Sequence, residues 1–289
     1  MKSPLWNDIT NQEAVRRQPW IVPEDAWGKF TTPSALAGLI NQFPPISLDE
    51  IESVALLNRN DIKYILTTGQ LLQVIRDLPP EYQVLAVRGR RFNPYRTLYF
   101  DTPDLALFHR HINGCAESYK VRSREYTSSG DSFLEVKRKT NQGRTIKNRI
   151  ETEHPLETIT SQAGHWLENY FPYDSTSLEP ILWNTFTRIT LVNHKNLERV
   201  TIDIDLVFYK DYRVVSLGCL AVTEVKQDSS RRGSPFTAAM RAQKIHPQGF
   251  SKYCIGTALL YSQIKKNALK PKLLQIRKMI GGTNSNEHF

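Results

Sequence analysis

The sequence predicts an α+β protein built on an antiparallel β-sheet, and three observations carry that reading. Segments from residue 94 to 227 alternate apolar and polar residues with period two, as strands with two unlike faces do. Short turn-forming stretches, TSSGD (127–131) and NQG (141–143), join some of them as hairpins. Stretches with helical spacing lie before, between and after the strands.

Taken in order, residues 1–46 are punctuated by Pro4, Pro19, Pro23, Pro33, Pro44 and Pro45 and read as an irregular Pro/Trp-rich arm, with one short helix near 34–42. Ser47 and Glu50 have the spacing of a capping box opening a short helix. RNDIKYIL (59–66) reads as a strand, and TGQLLQVIRDL (68–78) as a helix capped by Thr67 or Thr68. PYRTLYFDT (94–102) is a strand ending in a turn, and DLALFHRH (104–111) a short helix. SYKVRSREY (118–126), SFLEVKRK (132–139) and RTIKNRIE (144–151) read as consecutive strands. A helix around 160–170 leads to strands EPILWNTFTRITLVN (179–193), ERVTIDIDLVFY (198–209) and LAVTEVKQ (220–227). PFTAAMRAQKI (235–245) and SKYCIGTALLYSQIKK (251–266) are helical in pattern, and residues 267–289 read as a basic, then polar, tail.

Composition narrows the functional classes. The chain has 289 residues, 40% hydrophobic and 23% charged, the profile of a globular protein. Lys and Arg number 38 against 29 Asp and Glu, a net charge of +9 that favours a polyanionic partner. The 3 cysteines are widely spaced and form no CxxC pair, which argues against a zinc site or a disulfide framework. No stretch approaches the roughly 20 apolar residues of a membrane span, and residues 1–20 lack a signal-type apolar core. The expectation is a soluble, cytoplasmic protein.

The strand faces are unusual. Lys120, Arg122 and Arg124 share one face of a strand; Phe133, Glu135, Lys137 and Lys139 share one face of the next; Lys147 and Arg149 share one on the third. Further along, Arg199, Thr201, Asp203 and Asp205 oppose Val200, Ile202, Ile204 and Leu206, and Glu224 shares a face with Lys226. Two arrangements satisfy this code. Either the polar face of an open sheet meets solvent, or the sheet closes into a barrel of about eight strands with the charged faces inward and helices outside.

Nine motifs, in order, resemble the VTC-domain family, the polyphosphate polymerase branch of the triphosphate tunnel metalloenzymes. They are RNDIKY (59–64), TLYFDT (97–102), YKVRSREY (119–126), FLEVKRK (133–139), TIKNR (145–149), FTRITLVN (186–193), ERVTIDIDL (198–206), TEVKQ (223–227) and FSKYCIG (250–256). The resemblance implies a closed antiparallel β-barrel, a tunnel lined by charged residues with helices packed outside, over a domain spanning 47–266. It implies a metal-dependent polyphosphate polymerase that moves the γ-phosphoryl group of ATP onto a growing polyphosphate chain and releases ADP. The partners would be ATP and polyphosphate, with no DNA, and the cofactor Mn²⁺ or Mg²⁺. Carried onto this chain, Arg122, Arg124, Lys137 and Glu224 are the catalytic candidates, and Glu224 with Glu135 the metal candidates. Arg59, Lys63, Lys120, Lys147, Arg149, Arg188, Arg199, Lys226 and Lys252 would bind phosphates. A tunnel-fold inorganic or nucleoside triphosphatase and a non-catalytic polyphosphate-binding module are the alternatives. Arg59 favours the polymerase branch, since the hydrolase branches tend to carry an E-x-E-x-K pattern there. One departure stands out: CAES (115–118) carries Glu117 where the branch often has a cation. The resemblance also implies a bacterial-style stand-alone domain, without the sensing domain and membrane helices of eukaryotic relatives.

Other tempting features have plainer readings. His109 and His111 are two apart on a helix and point apart. Asp203 and Asp205 are expected to pair with lining cations, with a metal role for Asp203 the alternative; Asp101 is expected to cap a turn or helix, and Ser251 to be a helix N-cap. SSRRGS (229–234) is read as a solvated loop. P-loop, dinucleotide and kinase signatures are absent.

Overall fold

The computed structural model describes residues 34–52, 59–142, 144–230 and 233–281. The strands are β1 (Pro45–Ile46), β2 (Arg59–Thr67), β3 (Gln83–Leu85), β4 (Asn93–Asp101), β5 (Ser118–Tyr126), β6 (Asp131–Lys139), β7 (Thr145–Thr152), β8 (Glu179–Asn193), β9 (Glu198–Lys210), β10 (Arg213–Ser216) and β11 (Leu220–Asp228). The helices are α1 (Ser34–Ile40), α2 (Leu48–Glu52), α3 (Thr68–Arg76), α4 (Ala106–Ile112), α5 (Ser161–Leu167), α6 (Pro235–Ala242), α7 (Lys252–Leu260) and α8 (Lys270–Gly281).

The main path of the sheet runs β2-β11-β9-β8-β4-β5-β6-β7, every neighbouring pair antiparallel. β10 extends β9, while β1 and β3 attach beside β8. The two ends, β2 and β7, do not hydrogen-bond to each other, so the ladder is not the closed barrel expected. β7 is an edge strand whose residues are exposed or half-buried on both faces, with Ile146 46% exposed. A strand with so little apolar surface gains little from being covered.

Local rules place most of the elements. Thr67, not Thr68, caps α3, and with Gln70 it forms a capping box. The box at Ser47 and Glu50 opens α2: the Ser47 amide donates to Glu50 Oε2 at 2.8 Å, and the Glu50 amide to Ser47 Oγ at 3.3 Å. The first predicted helix exists as α1, and its buried Leu36 and Ile40 make it part of the core rather than of a loose arm; residues 1–33 lie outside the described residues. Residues 270–281, read from sequence as tail, form α8 with Ile276 buried. No helix among the described residues is long and apolar enough to cross a membrane.

Two clusters cover the apolar back of the sheet. α1, α3 and α6 pack on Tyr64, Leu66, Val200, Ile202, Ala221 and Val225. α5 packs on Leu98, Phe100, Tyr119, Val121, Leu134 and Val136. A third cluster departs from the expectation that all helices lie outside. Tyr253, Cys254 and Ile255 of α7 pack on Ile65, Tyr99, Phe186, Phe208 and Val222. Ile65 and Val222 share a face with Lys63 and Glu224, so α7 covers the apolar end of the charged face. Asp101 anchors it: one carboxylate oxygen accepts from the Leu107 amide at 2.8 Å, and the other from the Phe108 amide at 3.0 Å and the Tyr253 hydroxyl at 2.5 Å. The contact is close. A Cβ on Gly256 would lie 2.5 Å from the Phe208 ring. Gly256→Ala is therefore expected to cost about 1–3 kcal/mol despite the better helix propensity of Ala, which urea unfolding reads directly.

β9 also departs from strict alternation. Asp205 takes a left-handed φ of 53°, and the register with β8 shifts between Thr185 and Thr187. Ile204 packs on the back of the sheet, whereas Leu206 joins the α7 cluster on the front. A bulge adds one residue and flips every later side chain. Asp205 therefore forms no pair with a lining cation, contrary to expectation, and burial pushes its carboxyl pKa up.

Candidate functional site

Strands β5, β6 and β7 form one wall. The TSSGD hairpin sets Tyr126 opposite Asp131, and the register that follows aligns Lys120 with Lys137 and Lys147, Arg122 with Glu135 and Arg149, and Arg124 with Phe133. Arg122 and Arg124 are buried, and Glu135 is fully buried between them. Arg122 donates through Nε and Nη2 to Glu135 Oε2 at 2.7 and 2.5 Å, and Lys147 pairs with the other oxygen. Burial alone would raise the Glu135 pKa; Arg122, Arg124 and Lys147 overcome it and hold the carboxyl ionised well below its usual range.

Arg124 is arranged differently. Its Nε donates to Thr97 Oγ1 at 3.2 Å, and its guanidinium lies 5.6 Å from the Tyr95 ring and 5.8 Å from that of Phe186. No carboxylate pairs with it among the described contacts. Burial and the neighbouring Arg122 depress its pKa. Lys137 fares similarly: Arg122 first, then burial and Arg124, push it down to about 5. Burial is also the main cause that takes Lys120 to about 8.

β2, β11, β9 and β8 form the facing wall. Lys63 donates to Glu224 Oε1 at 2.5 Å, and Lys226 lies 3.7 Å from the other oxygen. These lysines outweigh burial and bring Glu224 down to about 2. Arg188 grips Asp203 with two bonds of 2.6 and 2.8 Å, and Lys252, in the first turn of α7, pairs with the same carboxylate. Lys252 also lies 4.2 Å over the Phe186 ring, and Arg188 5.3 Å from it. Arg199 stands level with Lys226, and Arg59 pairs with Asp61 at 3.1 Å near the end of β2.

The walls face each other. Lys63 of β2 helps depress the Lys120 pKa on β5, and Arg124 that of Lys252. Lys120 Nζ donates across to Ser251 Oγ at 3.2 Å, while Ser251 caps α7 as expected. The result is a concave surface on which cations outnumber carboxylates, roofed by α7 at its apolar end. Coulombic repulsion inside such a low-dielectric site is relieved only by anions.

The predicted residues are thus mostly gathered. Lys63, Lys120, Arg122, Arg124, Lys137, Arg188, Lys226 and Lys252 line the concavity, with Arg199 and Lys147 toward its edge. Arg149 is exposed, 4.4 Å over the Phe133 ring. Glu117, in the departing CAES stretch, pairs with Arg138, which cross-strand neighbours place on the opposite face. His111 meets Ser118 at 3.3 Å and is held neutral chiefly by burial. Among the described residues, no group of three or more His, Cys, Asp and Glu is close enough to cage a metal. Glu224 and Glu135 are both ionised, and each already pairs with two cations: Lys63 and Lys226 for Glu224, Arg122 and Lys147 for Glu135.

The motif reading passed over Asp61, Thr97, Tyr95 and Phe186. Asp61 neighbours Lys226 across β11 and β2 and lowers its desolvation burden. Tyr95 and Phe186 form the stacked aromatic floor, 5.1 Å apart, beneath Arg124, Arg188 and Lys252. The signal was present, since Tyr95, Thr97 and Tyr99 share a strand face, as do Phe186 and Arg188.

No curated protein matches the chain. A solved structure from Vibrio parahaemolyticus, described as a candidate adenylate cyclase, is similar at 16% identity and TM-score 0.40, over 68% of this chain and 97% of that one. A candidate adenylyl cyclase of Hippeastrum, described as having a dominant triphosphatase activity, is similar at 12% identity and TM-score 0.46, over 70% and 97%. The S. pombe RNA triphosphatase is similar at 11% identity and TM-score 0.27, over 91% of both chains. Residues 58–261, which run from the start of β2 to the end of α7 and hold every cation of the concave surface, match the VTC domain model, and the chain belongs to the VTC domain family.

Proposed function

We propose that this chain is a metal-dependent polyphosphate polymerase that transfers the γ-phosphoryl group of ATP to a polyphosphate chain and releases ADP. The observation that carries the reading is the excess of inward cations on two facing walls, with Arg124 and Lys137 lacking carboxylate partners of their own. A linear polyanion supplies what these groups lack along the whole length of the concavity.

In this reading Lys120, Arg122 and Arg124 hold the nucleotide's phosphates, and Arg124 and Lys137 face the transferred group. Arg188, Arg199, Lys226, Lys252 and Lys63 hold the acceptor chain. Phosphoryl transfer needs little covalent help from side chains; positioning and charge stabilisation supply most of the acceleration. Arg suits the first group because its planar fork grips two phosphate oxygens. Glu224, helped by Glu135, would hold Mn²⁺ or Mg²⁺, which when bound neutralises charge on the phosphate oxygens. Glu135 has a second role: it keeps Arg122 aimed inward.

The second reading is a triphosphatase, in which water replaces the chain end on the same cationic surface. α7 favours it to the extent that it obstructs one end of the concavity. One experiment separates the readings. Purified protein is incubated with ATP and Mn²⁺ or Mg²⁺, and polymer length, ADP and free phosphate are measured. The polymerase gives long chains with ADP, and the triphosphatase gives phosphate without chains. If tight polyphosphate binding is the only outcome, the protein is a binding module and the proposal fails.

A further inference from the structure

The net charge of the chain does not come from the concave site. Residues 1–228 hold 27 Lys and Arg against 28 Asp and Glu, so this part is close to neutral although it carries every site cation except Lys252. Residues 229–286 hold the other 11 cations and no Asp or Glu. The surplus of +9 belongs to this segment and is available to an anionic partner outside the concavity, whatever the concavity itself binds. α8 gathers four of these cations, Lys270, Lys272, Arg277 and Lys278, within about three turns. Its inner side is docked. Ile276 is buried, and Leu273, Met279 and Ile280 pack beside it on the α7 cluster. The Lys272 ammonium donates to the Gln248 side chain, and the Gln248 amide donates to the Lys63 carbonyl of β2 at 2.7 Å. One face is left outward. Positions 270, 274 and 278 recur at i, i+4 and line up along it. Lys270 and Lys278 are exposed, Leu274 between them is 47% exposed, and exposed Pro271 adjoins Leu274. The outward face is an apolar centre between cations, unlike the all-polar outer face of an ordinary solvated helix.

We propose that α8 seats the protein on the surface of an anionic lipid bilayer, with Lys270 and Lys278 against the head groups and Leu274 among the acyl chains. Charge complementarity selects an anionic surface, and Leu274 selects lipid. A nucleic-acid backbone would meet the lysines equally well but offers Leu274 nothing apolar. The interface of an anionic bilayer supplies phosphate oxygens and an apolar layer within one side-chain length of each other. No helix among the described residues can span a membrane, so the attachment is peripheral. Each lysine held near such a surface raises partitioning by about fivefold. The missing carboxylates matter as much as the lysines, because an acidic residue on this face would be repelled by the same head groups.

The test is flotation of the full chain with two kinds of vesicle, one of phosphatidylcholine alone and one containing about one third phosphatidylglycerol. The wild type should float with the anionic vesicles and not with the neutral ones. Lys270→Gln and Lys278→Gln together should weaken that partitioning by about 25-fold. Leu274→Ser should weaken it by about threefold or more and leave binding to a duplex RNA unchanged. These three side chains are exposed, so the thermal unfolding of the variants should match the wild type. Arg124→Met, in the concave site, should float like the wild type. Absence of flotation with anionic vesicles overturns the proposal, as does flotation that the two lysines do not affect. Flotation indifferent to Leu274→Ser, or RNA bound more tightly through the same lysines, gives the face to nucleic acid and overturns the lipid. Loss of flotation in Arg124→Met puts the lipid head groups in the concavity and overturns α8. None of these results bears on polymer synthesis from ATP, so the two proposals stand or fall separately.

Discussion

Arg124→Met is expected to make the empty protein more stable and the enzyme inactive. Arg124 is 6% exposed, donates a single bond to Thr97, and is repelled by Arg122 and Arg188. Its burial is compensated by aromatic rings rather than by a carboxylate. Replacing a poorly compensated buried ion with an apolar side chain of similar volume is commonly neutral or stabilising. The expected gain is roughly 1 kcal/mol, or about 2–4 °C in Tm for a domain of this size. Turnover should fall by about 10²–10³-fold, the effect of losing one group that stabilises transferred charge. Arg122→Met should behave in the opposite way toward stability. It leaves the fully buried Glu135 with Lys147 as its one remaining ion-pair partner and Arg124 as a neighbouring charge, and breaking a buried pair from one side costs about 3–5 kcal/mol. Differential scanning calorimetry beside an ADP-release assay separates the two arginines. Equal destabilisation by both would mean that Arg124 has a compensating partner and that the free-cation picture of the site is wrong.

That asymmetry was partly legible in the sequence. The four-residue hairpin loop (127–130) fixes the register of β5 on β6, so the pairing of Arg122 with Glu135 follows from counting outward from Tyr126 and Asp131. The caps at Ser47, Thr67 and Ser251 are likewise local, set by side chains within three residues of the amides they satisfy. What could not be read was long-range. Asp205 adds one residue to β9, and no local composition marks it, yet it turns Leu206 to the opposite face from Ile204. Whether the sheet closes depends on two strands whose first residues, Arg59 and Thr145, lie 86 residues apart, and alternation alone fits an open and a closed sheet equally well. α7 was misplaced for a different reason. KYCIGTALL is apolar nearly all round, and a helix of that kind must be covered on more than one side. That clue argued against a simple outer helix from the start.

The same excess of charge predicts an unusual pH response. A lysine whose pKa falls on folding binds fewer protons in the native than in the unfolded state between its two values, so stability rises with pH across that window. For Lys137 the window runs from about 5 to the ordinary 10.5, and for Lys120 and Lys252 from about 8 to 10.5. The low-pKa Glu224 acts below this range, its contribution complete once the pH passes the ordinary 4.5. Buried Asp101 and Glu198, whose pKa values are raised, lose stability as pH rises from the acidic side and partly mask the lysines. The difference between wild type and Lys137→Met isolates the lysine: its magnitude should shrink steadily from about pH 5 upward, because the charge that destabilises the wild type is present at low pH and absent at high pH. Bound polyanion reverses the local field. Arg122 and Arg124, now neutralised by phosphate, no longer expel the proton from Lys137, so binding takes up a proton and the affinity for tripolyphosphate should weaken as pH rises above about 5. Calorimetry in buffers of different ionisation heat reads that proton directly. A wild-type uptake no larger than that of Lys137→Met would show that Lys137 keeps its charge in the empty site, and that Glu135 offsets Arg122 and Arg124 for it as well as for Lys147.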